Sequence, residues 1–299
     1  MHKFTAVTMP HGFESDSSWI RQVYIRQLNG HDEQYLADNE RILNAFKTTF
    51  LLGRVARFEE DTNPKYDVKE IIRRLTIGDR IALLLYLRGL TYGNNLQCVI
   101  TCPKCKEIMS LNISIPDIIS SSFLTAPKAE YEINVEEFVL KIRPLNGADL
   151  ESIIFSNYKD RNYNNDNDNN NKSTNNKAEQ LIRSCIISSN PQISDGSSIT
   201  KLGQDFFAII GSKLEEIDPL AEIFYNLSCP CCHDSFRASF NAEDFVLRDI
   251  QLRKSQLERE VHWLAFNYHW NEETILSLPV TRRRLYVELI NKTLSGDRI

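Results

Sequence analysis

Cys102-Pro103-Lys104-Cys105 and Cys229-Pro230-Cys231-Cys232 are two CPxC turns, 127 residues apart (229 − 102), and each is followed by an acid twelve residues after its last cysteine, Asp117 and Asp244. Matched spacing of this kind predicts two copies of one unit. Zinc needs four soft, deprotonated ligands at about 2.3 Å in a tetrahedron, and one CxxC supplies two from a single tight turn. The two turns together therefore predict one shared site, Cys102, Cys105, Cys229 and Cys232, holding one structural zinc per chain. Proline narrows each turn, and the N–H groups of the other knuckle residues can donate to the sulfurs. The 124 residues from Cys105 to Cys229 far exceed the spacing in a compact zinc ribbon. Duplication resolves this, because a pseudo-twofold axis would bring equivalent knuckles face to face and let the metal staple the halves. Closing so long a loop through a site worth roughly 10 kcal/mol or more is a large stabilisation. Cys231 and His233 are competing ligands, but only Cys229-x-x-Cys232 repeats the spacing of the first knuckle.

The surroundings repeat as well. Arg26-Gln-Leu-Asn-Gly-His-Asp32 and Arg143-Pro-Leu-Asn-Gly-Ala-Asp149 share R-x-L-N-G-x-D at an offset of 117 (146 − 29). The ten residues by which this differs from the cysteine offset fall to the Asn-, Asp-, Ser- and Thr-rich tract 162–176, read as a mobile surface insertion between helices. In the first copy Val23–Arg26 reads as a strand stopped by Asn29-Gly30, with Asp32 capping a helix that runs on through Leu36, Ile42, Leu43, Phe46 and Phe50. A polar loop, 59–64, precedes a helix over 67–75. Thr76 to Asp79 breaks it and caps a helix over 80–90 that is apolar on more than one side, hence buried. Strands at 96–101 and 109–115 flank the first knuckle. The second copy has a strand from Phe138, helical patterns at Ala178 to Ile186 and Phe206 to Leu214, and strands at Ile223–Leu227 and Phe236–Phe240.

The predicted fold is α+β and helix-rich, internally duplicated as strand, helices, CxxC knuckle and strand, with the halves joined at a zinc-ribbon-like site and a helical segment at the C-terminus. The expected divisions are a loose leader at 1–20, repeats at 21–125 and 126–250, and a docking module at 251–299. In that last segment Leu252, Leu257, Val261, Leu264, Ala265 and Tyr268 form one stripe, Asn271 caps a short helix, and a final helix covers 281–294. Arg282, Arg283 and Arg284 at its start oppose the macrodipole, which helix stability alone does not explain, and a solvated basic face is the plainer reading of them. With Trp263 and Trp270 they are the expected partner-binding residues. His262 and His269, two turns apart, are roughly 10 Å apart along the axis, too far to share a metal, and read as part of that packing or docking face.

Composition narrows the function. The 299 residues carry a net charge of −5, so nothing global attracts nucleic acid or an anionic membrane. No apolar run reaches the roughly 18 residues of a spanning helix, and residues 1–18 lack a signal-like stretch, which predicts work in the cytoplasm or in a particle assembled there. Seven cysteines, an odd number, argue against a disulfide framework, and Cys98 and Cys185 read as small buried residues. No Gly-rich phosphate loop, HExxH or G-x-S-x-G is present, so no enzyme is expected. Three alternatives remain: a thioredoxin-like redox CxxC, which would open a helix where these are followed by strand-like residues; free buried thiols; and a zinc-ribbon nucleic-acid module using Arg282 to Arg284.

The Arg26 to Glu33 segment, the run from Leu75 to Gly93 and the paired CPxC knuckles resemble the phage baseplate assembly proteins related to the T-even baseplate hub assembly protein, also found in phage-derived contractile injection systems. The segment from Glu258 to Leu276, followed by Arg282-Arg-Arg-Leu-Tyr286, is similar to a small helical module of the same gene clusters. The resemblance implies a non-enzymatic assembly chaperone or minor component with tail, hub or baseplate proteins as partners.

Overall fold

The computed structural model describes residues 3–15, 18–58, 67–123, 127–163, 170–191 and 204–295. The chain opens on β1 (Phe4–Glu14), β2 (Trp19–Arg26) and β3 (Ala56–Arg57), an antiparallel sheet in that order. The expected loose leader is therefore mostly an 11-residue strand. Pro10, Gly12 and the serines hide it, and a bulge between Thr8 and Phe13, with Gly12 at φ +78°, interrupts its alternation while Met9 stays fully buried.

Strand β2 ends in the Leu28-Asn29-Gly30 corner that starts α1 (Gly30–Asp38). Asn29, not Asp32, is the N-cap: its side chain accepts the Asp32 N–H (3.1 Å), and the Asp32 carboxylate accepts the Asn29 N–H (3.1 Å) in a reciprocal capping box. The expected continuous helix breaks at Asn39, whose side chain donates to Tyr35 O (2.8 Å), and resumes as α2 (Asn44–Val55). The loop expected at 59–64 lies outside the described residues. Helix α3 (Val68–Arg74) leads to α4 (Ile77–Tyr92), capped by Thr76 through the Asp79 N–H. Apolar residues on several faces of α4, Leu83, Leu84, Leu85 and Leu87, are fully buried at the centre of the main core.

After α4 come the hairpin β4 (Asn95–Thr101) and β5 (Ile108–Ser114), then α5 (Ile115–Ser120). The order then recurs. Strands β6 (Tyr131–Val135), β7 (Phe138–Ile142) and β8 (Ile186–Asn190) form a second antiparallel sheet in that order, and a Leu145-Asn146-Gly147 corner leads from β7 into α6 (Gly147–Tyr163). Helix α7 (Asn170–Cys185) returns to β8, so Ile186 begins a strand and does not continue the helix. Helices α6 and α7 thus enter the Asn-rich tract from both sides, and 164–169 lies outside the described residues. Helix α8 (Gln204–Ile217) precedes the hairpin β9 (Ile223–Ser228) and β10 (Ser235–Phe240), then α9 (Ala242–Gln251). A second core joins Ile133, Leu140, Ile142, Phe206 and Ile210. The β9–β10 hairpin and α9 pack on the first core, through Tyr225, Phe240, Val246 and Ile250.

Helices α10 (Lys254–Tyr268), α11 (Glu272–Leu276) and α12 (Val280–Ser295) close the chain around a small core of Leu264, Ile275 and Ile290. Asn271 caps α11 as its position predicts, accepting the Thr274 N–H (2.8 Å). Among the described residues no helix is long and apolar enough to cross a membrane.

Candidate metal centre

Each knuckle is the tip of a two-stranded hairpin. Beyond the last strand pair, Thr101 with Ile108, the Cys102 N–H donates to Glu107 O (2.8 Å) and the Lys106 N–H to Cys102 O (3.1 Å). Beyond Ser228 with Ser235, the Cys229 N–H donates to Asp234 O (2.9 Å) and the His233 N–H to Cys229 O (3.0 Å). The residue four after the first cysteine is left-handed in both, Lys106 at φ 63° and His233 at φ 57°. One turn geometry is built twice.

The two tips meet. Cys102 Sγ lies 3.7 Å from Cys232 Sγ, and Cys105 Sγ lies 3.5 Å from Cys229 Sγ. Each first cysteine therefore faces the other knuckle's second, a pairing that exchange of the knuckles leaves unchanged. All four sulfurs lie within 4.8 Å of one another. A tetrahedron with zinc–sulfur bonds of about 2.3 Å has sulfur–sulfur edges of about 3.8 Å, so this donor set fits a tetrahedral thiolate site. Cys102 and Cys229 are buried, Cys232 is half-buried and Cys105 exposed. Cys231 and His233 are exposed and outside the cluster.

Electrostatics favour a cation here. The N–H groups of Cys105 and Lys104 hold the Cys102 thiol down, to about 7, against the effect of burial. At Cys105 the Glu107 N–H pulls the same way, but burial and the crowding sulfurs of Cys232, Cys229 and Cys102 push it up to about 12. Four sulfurs this close cannot all ionise without a positive charge between them. Outside the cluster Lys104 reaches across to Asp234 (3.0 Å), an exposed ion pair that adds little. Cys98 and Cys185 are buried away from the cluster as expected, and burial pushes Cys185 up to about 12.

The expected partner-binding residues separate. Arg283 is fully buried between Glu33 on α1 and Glu260 on α10 (2.6 Å to Glu260), so it is a structural ion pair and is corrected from a surface contact. It is equally unavailable to nucleic-acid phosphate. Arg284 leans on Glu260 (3.4 Å), and Arg282 is exposed beside Tyr286. Trp263 is half-buried, donating to Asn291 (3.1 Å), and Trp270 stacks on Tyr268 at 4.9 Å and meets Tyr286 edge-on at 5.1 Å. Both tryptophans are chiefly packing groups of the C-terminal core.

Two polar clusters escape sequence reading. One is the Tyr92–Glu33–Arg283–Glu260 chain, in which the Tyr92 hydroxyl donates to Glu33 (2.6 Å). In the other, the bulge N–H groups of His11 and Gly12 donate to Asp79 (2.8 Å each), while Asp218 accepts the Gly78 N–H (2.8 Å) and faces His11 Nε2 at 3.8 Å. The partners in both are far apart in the chain.

No curated protein and no solved structure matches the chain. The model of one protein family, the T4 bacteriophage base plate protein, matches residues 59–246, a span that holds both knuckles and most of the described fold. This chain belongs to the T4 bacteriophage base plate protein family.

Proposed function

We propose that the protein is a non-enzymatic component or assembly factor of a phage-like tail baseplate, of a phage or a contractile injection system, whose two halves are duplicates stapled by one structural zinc on Cys102, Cys105, Cys229 and Cys232. The observation that carries the reading is the meeting of two knuckles, 124 residues apart (229 − 105), with cross-knuckle sulfur separations of 3.7 and 3.5 Å. Duplication is supported by the recurring order of three-stranded sheet, capped corner, helices and hairpin, and by Arg143, which grips Asp149 (2.7 and 2.8 Å) as Arg26 grips Asp32 (2.6 and 3.3 Å). The metal closes a loop that spans both cores, and a rigid body of fixed shape suits a structural role. Its partners are other tail, hub or baseplate proteins. On the C-terminal helices the exposed Phe266, Leu285 and Leu294 offer them apolar contact, and the exposed Arg282 a charged one.

The test is made where the particle assembles. Replacing Cys105 and Cys232 by serine should reproduce the loss of intact baseplates caused by removing the gene, as seen by electron microscopy. Normal baseplates from the double variant would contradict the staple. Normal baseplates without the gene would contradict the baseplate role.

A further inference from the structure

The two Leu-Asn-Gly corners are both received by a pair of helices, and the receivers match. In the second corner, Asn146 bridges to Thr76, the Ile77 N–H donates to Leu145 O (3.0 Å), and the Gly147 N–H donates to Leu75 O (3.2 Å). In the first, Asn29 bridges to Pro279 and the Val280 N–H donates to Leu28 O (3.0 Å). The receiving positions share one offset, since 280 − 77, 279 − 76 and 283 − 80 all give 203. Helices α4 and α12 start at that same offset. Ile72 on α3 and Ile275 on α11 are equivalent and fully buried, as are the near-inaccessible Arg80 and Arg283. Leu75-x-Ile77-x-x-Arg80 and Leu278-x-Val280-x-x-Arg283 carry this in the sequence.

We propose that α11–α12 is a second receptor of the kind formed by α3–α4, that each takes an R-x-L-N-G-x-D strand-to-helix corner as its ligand, and that Glu33 facing Arg283 keys the C-terminal receptor to the first corner. The proposal is independent of the metal. The key lies in one difference between the joints. Arg80 is satisfied by neutral groups, Thr49 Oγ1 (2.8 Å), Ala45 O (2.7 Å) and Ile72 O (3.2 Å), and the residue after Asp149 is Leu150. Arg283 meets carboxylates, Glu33 at Nη2 and Glu260 at Nε, and Glu33 follows Asp32. A buried arginine facing a corner with leucine in place of Glu33 would lose one of its two counter-charges, which disfavours the wrong pairing. The C-terminal helices are thus a clasp on the chain's own first corner. Only Leu252 and Arg253 link α9 to α10, and Leu252 is 75% exposed.

The test uses the full chain with a protease recognition sequence inserted at Leu252 and cut after folding. The cut segment should stay with the body in gel filtration and, labelled, rebind it. Gly30→Ala, whose new methyl would meet Leu276 Cδ2 at 2.6 Å and Leu276 Cα at 2.8 Å, should weaken rebinding at least tenfold. Glu33→Leu should do the same, and Leu150→Glu should leave the dissociation constant within twofold. Far-UV circular dichroism checks that each body remains folded. Departure of the wild-type segment on cutting, or rebinding unchanged by Gly30→Ala, would overturn the receptor. Rebinding unchanged by Glu33→Leu, or weakened equally by Leu150→Glu, would overturn the key.

Discussion

Gly147→Ala sets two effects of opposite sign against each other. Gly147 is the first residue of α6, and alanine there should gain up to about 1 kcal/mol of helix propensity. A methyl at that position, however, would lie 2.6 Å from Arg80 Cζ and 3.0 Å from Arg73 O. Arg80 is 1% exposed and tied by three hydrogen bonds, so it has no free direction in which to retreat. Overpacking costs about 1–3 kcal/mol, and each displaced hydrogen bond of a buried charged group about 1.5–3 kcal/mol more. The clash outweighs the propensity, and Gly147→Ala should destabilise the protein by at least about 2 kcal/mol. Gly211→Ala is the control: it lies within α8, and its methyl would meet nothing nearer than Ile182 Cδ1 at 3.9 Å. It should stabilise by about 0.5–1 kcal/mol. Urea unfolding followed by circular dichroism at 222 nm measures both. Equal stability of the two variants would refute the reasoning, because the corner would then not be seated against Arg80.

Acid and base should unfold the protein through different carboxyls. At Asp32 burial favours the neutral form, but the Arg26 and Arg54 guanidiniums and the Asn29 N–H outweigh it and hold the carboxyl below the ordinary 3.8. Its contribution is present above that value and lost as pH falls through the folded one, so Asp32→Asn should flatten the acid limb of a melting-temperature profile. At Asp79 burial, helped by the charge of Asp218, outweighs the His11 and Gly12 N–H groups and pushes the pKa up to about 8. That contribution is complete below 3.8 and is lost progressively as pH rises to about 8, so the profile should fall between about pH 4 and about pH 8, and Asp79→Asn should remove the fall. Cys231→Ser should leave metal content unchanged, since Cys231 is exposed and outside the cluster. A lost metal in that variant, measured by plasma emission, would move the ligand set.

What was legible in the sequence was whatever local chemistry writes down. The knuckles, the R-x-L-N-G-x-D corners and the buried character of α4 follow from spacing, turn residues and apolar patterning within short windows. Strand β1 was not legible, because its bulge breaks the alternation and Pro10 and Gly12 imitate a loop. Asp32 reads as the cap in place of Asn29 because the two form one reciprocal box, and either residue type suits either place. Arg283 reads as surface charge from its neighbours, and only Glu33, 250 residues away, and Glu260 make it a buried group. The signal that could have found it is Leu278-x-Val280-x-x-Arg283, a repeat of Leu75-x-Ile77-x-x-Arg80 too short to notice without the corners it serves.

A single metal shared by two knuckles is open to metal analysis of the purified chain. One zinc per chain is expected, lost when Cys102 and Cys105 are replaced by serine and equally when Cys229 and Cys232 are. Two zincs per chain, none, or retention of one zinc after either pair is removed would contradict it.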